Sequence, residues 1–148
     1  MSICKYDLPE ASLDCKVDDF ELTTPEGRFE NERADCVVCA IATAYQIPYK
    51  QAFELVRESC GRGPRERTFG LMGLMGYLCK RKLNRKTTRR VPFKVWEKTP
   101  GLRSLRKGLD KGVFLVRVTG HLTTIKDGVV LDSWDPGKAV IKSVWNVS

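Results

Sequence analysis

The dipeptide Asp127-Gly128 separates two runs of strand-forming residues, 121–125 and 129–132. Asp-Gly in that setting closes a two-residue hairpin, because both turn positions need positive φ and these residue types tolerate it. The turn fixes a register. Lys126 pairs with Val129, and counting back along both strands sets His121 opposite Trp134. Side chains alternate across a strand, so Asp132 falls on the same face as His121 and diagonal to it. Asp135 then points to the other face. A turn one residue longer or shorter exchanges the two acids, which keeps Asp135 as the alternative partner of His121.

Further strand-forming runs flank the hairpin at 113–118 and 139–147. The first half of the chain reads differently. Asp35 stands where it caps a helix that starts at Cys36 and runs through Val37, Val38, Ala40, Ile41 and Ala44. Gln46-Ile47-Pro48 breaks it. Pro48 opens a second helix through Ala52, Phe53, Leu55 and Val56, which Gly61, Gly63 and Pro64 end. Residues 71–83, apolar at Leu71, Leu74, Met75 and Leu78, predict a third. Residues 81–90 read as turn or loop. Residues 91–96 read as a short edge strand, since Pro92 cannot donate to a central ladder. Residues 100–109 read as a short helix, and the segment up to Arg33, with Pro9, Pro25 and Gly27, as extended or loop. Helices first and antiparallel strands last predict an α+β fold, with N-terminal helices packed on a C-terminal antiparallel sheet.

The 148 residues, 42% apolar and 30% charged, suit a single folded domain spanning 1–148 and not a disordered chain. No apolar run approaches a membrane span, so no membrane partner is expected. The first ten residues carry Lys5, Asp7 and Glu10 and lack the apolar core of a secretory signal. The expected location is therefore cytoplasmic, or the host cytoplasm if the chain is phage-encoded, with its six cysteines reduced.

Charge is uneven. Residues 1–34 form an acidic, extended segment, whereas residues 61–111 form a basic connecting region with 16 basic and 3 acidic side chains. Within it, Lys80, Arg81, Lys82, Arg85, Lys86, Arg89 and Arg90 are candidate anion contacts. A charge run of this kind more often neutralises or solvates a face than binds a ligand. No nucleic-acid-binding motif accompanies it and no aromatic interleaves it. Nucleic acid is thus a partner to consider through residues 80–90, but not the preferred one.

Three features converge on one chemistry. Cys36 begins a helix, where the positive end of the helix dipole favours a thiolate. His121 is the sole histidine. Asp132 lies diagonal to it on the hairpin. A cysteine nucleophile needs a base, and the base needs an orienting acceptor. Each residue has a plainer reading as core or surface; their order and placement favour the joint one. Cys36-Val37-Val38-Cys39 is also a CxxC, but a redox centre wants it after a strand in a βαβ setting. A zinc site wants a second close cysteine pair, which is lacking.

Asp35-Cys36-Val37-Val38, then Ala40-Ile41-Ala42, later Gly120-His121 before the hairpin, and Asp132-Ser133-Trp134-Asp135 resemble small papain-like cysteine peptidases. The likeness is to uncharacterised peptidases of phage and bacterial genomes and, more distantly, to bacteriocin-leader peptidases. The glycine- and arginine-rich segment 61–70 is similar too. The resemblance covers residues 31–136 and implies a papain-like fold without cofactor or metal. It implies that Cys36 attacks a carbonyl carbon, His121 carries the proton and Asp132 orients His121. It also implies an oxyanion hole of the Cys36 backbone N–H and an upstream side-chain donor. Glu30 cannot donate, so Asn31 takes that place. The expected function is a peptidase or amidase acting on an intracellular peptide or protein through a thioester, with acyl transfer to an amine as a variant. The alternative is a binding protein with a degenerate triad, acting on a host protein or nucleic acid through its basic region.

Overall fold

The computed structural model describes residues 20–99, 101–137 and 139–148. These residues form five helices and one six-stranded sheet, an α+β arrangement. In chain order they are β1 (Phe20–Leu22), α1 (Cys36–Tyr45), α2 (Tyr49–Cys60), α3 (Leu71–Cys79), β2 (Thr88–Arg90), α4 (Phe93–Trp96), α5 (Leu102–Gly108), β3 (Val113–Val118), β4 (His121–Lys126), β5 (Val129–Asp132) and β6 (Ile141–Val147). The sheet order is β1-β5-β4-β3-β6-β2, antiparallel throughout except for the β1–β5 pair.

Period-two alternation on β3 divides the apolar side chains between two cores. Leu115 joins Leu122 and Trp145 beneath α1, α2 and α3. Phe114, Val116 and Val118 join Trp96, Leu102 and Leu105 on the other face. Both faces of the sheet are thus covered, which holds the strands that carry the site. Helix α1 is almost wholly buried, with Val38, Ile41, Ala44 and Tyr45 fully inside. Thr124 Oγ1 donates to Ala40 O across 3.0 Å and ties α1 to β4.

The hairpin takes the register that Asp127-Gly128 dictates: Lys126 opposite Val129, Ile125 opposite Val130 and Thr124 opposite Leu131. Asp127 and Gly128 have φ of 49° and 81°, as a primed two-residue turn requires. A β-carbon on Gly128 would lie 3.3 Å from Arg106 O, so the turn also sits close beneath the end of α5. A second short turn ending at Gly120 (φ 70°) pairs Val118 with His121.

Four local expectations are corrected. Residues 91–96 are not an edge strand: only Val91 bonds to the sheet, N to Val144 O at 2.8 Å. Pro92 then opens α4, whose turn stacks Phe93 edge-on against the buried Trp96 at 4.9 Å. Residues 81–90 are not all loop. Leu83 and Lys86 bridge across a tight turn with Asn84 and Arg85 at positive φ, and Thr88–Arg90 pairs with β6. Helix α3 ends at Cys79, earlier than the apolar pattern implies. The segment before Arg33, read as extended or loop, is so where it is described: residues 20–22 form β1, parallel to β5 with Leu22 opposite Asp132, and Pro9 lies outside the described residues. Asp35 precedes α1 but makes no side-chain cap, because its carboxylate is engaged elsewhere.

Candidate active site

Cys36 is the first residue of α1, and the chain approaches it under constraint. Ala34 holds a left-handed φ of 56° two residues earlier. Asp35, 1% exposed, is fixed by Arg28, whose Nε and Nη2 reach its two oxygens at 3.0 and 2.8 Å. Tyr49 Oη donates to the same carboxylate at 2.8 Å, and Cys39 Sγ at 3.4 Å. Burial opposes ionisation of Asp35, but the Arg28 fork and the Tyr49 and Cys39 donors outweigh it and hold its pKa below the ordinary value. Burial and the Asp35 charge push the Cys39 thiol up, so it stays protonated. The two CxxC cysteines therefore have separate environments. Both are free thiols, Cys39 turned to Asp35 and Cys36 to His121.

His121 begins β4. Its Nε2 lies 2.7 Å from Asp132 Oδ2, with both side chains nearly buried. The Cys36 thiol lines the same cleft as the ring and is among the groups that favour its charged form. Burial disfavours the charged ring, but the bond to Asp132, the bond to Cys36 and their charges push its pKa up to about 10. That direction favours the imidazolium, which carries an N–H on each nitrogen. Asp132 is itself oriented: Thr123 Oγ1 donates to Oδ2 at 2.5 Å and Ser133 N to Oδ1 at 2.7 Å. Trp134 lies against the imidazole, ring centroids 4.7 Å apart.

The structure thus brings Cys36, His121 and Asp132 together. Asp135 is elsewhere: it accepts from Gly137 N at 2.9 Å and stands 4.0 Å from Arg103 Nη2. Asn31 is exposed, has φ 63° and does not line the cleft. None of Lys80, Arg81, Lys82, Arg85, Lys86, Arg89 and Arg90 lines it either. Arg81 bonds to Tyr77 Oη and covers its ring, and Arg90 lies over Trp145 and donates to Ser143 Oγ at 3.3 Å. Strand β2, which carries Arg89 and Arg90, is an edge strand separated from β5 by three others.

A cleft of about 530 Å³ opens in front of Cys36 and His121. Its walls come from the approach to α1, the 61–70 segment, the β3–β4 turn and Trp134. The 61–70 segment is clamped by Glu32, which accepts from Arg62 Nη2 at 2.7 Å and Arg65 N at 3.0 Å. Sequence reasoning missed Thr123 as a holder of Asp132, although the hairpin register sets 123 opposite 132. It also missed Arg33, Arg67 and Arg117 in the cleft wall, because the density of positive charge points to 80–90 instead. No helix among the described residues is long and apolar enough to cross a membrane. Comparison with family models, curated proteins and solved structures finds no match for this chain.

Proposed function

We propose that the chain is a papain-like cysteine hydrolase acting on peptide or protein amides, with Cys36 as nucleophile, His121 as proton carrier and Asp132 as its orienting acid. The observation that carries this reading is the His121 ring, whose Nε2 bonds to Asp132 and which shares one cleft with Cys36. Such an arrangement stores the thiol proton on the imidazole and leaves sulfur as nucleophile. Sγ attacks the carbonyl carbon, and the oxyanion faces the Cys36 backbone N–H at the helix start, which has no intrahelical acceptor. His121 protonates the departing amine as the C–N bond breaks. A water then gives its proton to His121 and attacks the thioester, releasing the acid and restoring the thiol. An amine in place of water would give acyl transfer by the same residues. No step requires a cofactor or metal.

The test uses a generic acyl donor. With N-acetyl-Ala-Gly p-nitrophenyl ester, the wild type should release nitrophenolate in a burst stoichiometric with protein, and the acyl mass should sit on the peptide containing Cys36. Cys36→Ala should show neither. Release no faster than in buffer, or acylation at another residue, contradicts the proposal.

A further inference from the structure

The cleft wall carries three arginines from three separate parts of the chain: Arg33 before α1, Arg67 in the 61–70 segment and Arg117 on β3. No acidic side chain lines it among the described residues. The arginines beside the cleft are engaged, Arg28 with Asp35 and Arg62 with Glu32. Arg33, Arg67 and Arg117 make no ion pair among the described residues. The nearby acids point away: Glu32 clamps the backbone at Arg65, and Glu66 accepts from Gly63 N at 2.6 Å. The Thr68 hydroxyl, also in the wall, is buried without a hydrogen-bond partner among the described residues. Phe69, 73% exposed, adds an apolar rim. Three cations and an unused hydroxyl around an electrophile-accepting thiol are complementary to anions.

We infer that this cleft selects peptides bearing carboxylate side chains beside the attacked carbonyl. The inference rests on Cys36 being the nucleophile and names the substrate class for it. Like charge along the wall would also disfavour lysine- and arginine-rich peptides, so selectivity has a repulsive half as well as an attractive one. The site differs from the basic 80–90 segment, which lies at the far sheet edge and lines no part of this cleft.

The experiment uses the full chain and three acetyl-Ala-Ala-Xaa vinyl sulfones in which Xaa is Glu, Gln or Lys. Cys36 Sγ adds to the vinyl carbon remote from the sulfone, the imidazolium proton goes to the carbon beside the sulfone, and nothing leaves. Mass spectrometry follows modification of Cys36. The Glu probe should react roughly tenfold faster than Gln at low salt, with Lys slowest, and the spread should shrink as salt rises. Arg33→Gln and Arg67→Gln, at exposed positions, should each lower the Glu-to-Gln ratio by roughly two- to threefold. Arg89→Gln removes the same charge from the far edge and should leave the ratio unchanged. Equal rates for all three probes overturn the inference but leave Cys36 as nucleophile. A ratio that falls equally in Arg89→Gln also overturns it, by assigning the preference to overall charge. No reaction with any probe removes the nucleophile reading and this inference together.

Discussion

Two buried carboxylates hold the two sides of the cleft, and their partners differ in kind. Asp35 is paired with Arg28, a cation that never releases its proton, and with Tyr49 and Cys39, whose pKa values are both raised. Asp132 is paired with His121, a cation that does. The first cluster is a fixed strut beneath the start of α1. On the proposed reading, the second holds a proton that can move toward Cys36. The same residue type thus serves as structure on one side of the cleft and, on the proposed reading, as part of the chemistry on the other.

The largest break in this comparison should come from the two cysteines of α1. Cys36→Ala should abolish turnover and leave the urea unfolding midpoint nearly unchanged, since Cys36 is only partly buried. Cys39→Ala should leave turnover in place and cost about 1 kcal/mol of stability, measured by the same denaturation. An inactive, stable Cys39→Ala would reverse the two roles. Next, Asp132→Asn should lower turnover by about 10²- to 10⁴-fold through loss of the imidazolium's partner, whereas Asp135→Asn should stay within about twofold. The opposite ranking would mean that the hairpin register does not govern the chemistry.

Asp35→Ala probes the strut. Leaving Arg28 and the Tyr49 hydroxyl without their acceptor should cost about 3–5 kcal/mol in urea unfolding, because removing one partner of a buried ion pair strands the other. Loss of activity without loss of stability in that variant would place Asp35 in the chemistry instead. The smallest effect is also the most specific to the comparison. Asp35 has a lowered folded pKa, so its contribution is present above the ordinary carboxylate pKa and is lost as pH falls through the lower folded value. His121 has a raised folded pKa, so its contribution is complete below 6.5 and is lost as pH rises toward about 10. The stability–pH curve should therefore fall on both sides, with Asp35→Asn flattening the acid limb and His121→Gln the alkaline one. If both variants flatten the same limb, the two clusters are not independent.

How much of this was legible in the sequence depends on how local each determinant is. Asp127-Gly128 is a two-residue signal with a geometric consequence, and it set Asp132 against His121 by counting alone. The buried helices were legible from period and glycine punctuation. Strands β1 and β2 were not, because three residues carry no period and their pairing is decided by distant neighbours. Val91–Pro92–Phe93 misled for the same reason: β-forming residue types yielded to a proline that starts a helical turn against the Trp96 pocket. Asp35 looks like a helix cap in sequence, but Arg28 and Tyr49, seven and fourteen residues away, claim its oxygens. The cleft arginines come from a loop, a second loop and a strand, and no linear charge count assembles them.

The central claim is that His121 and Cys36 share a proton, and alkylation tests it most directly. Native protein would be treated with iodoacetamide from about pH 4 to about pH 9, with each cysteine read by mass spectrometry. Burial raises the thiol pKa values of Cys60 and Cys79 above the ordinary range, so both serve as internal references. The account predicts that Cys36 is alkylated near pH 5, where Cys60 and Cys79 stay silent, and that His121→Ala removes this advantage. A Cys36 that reacts only alongside the reference thiols, or whose reactivity survives His121→Ala, would contradict it.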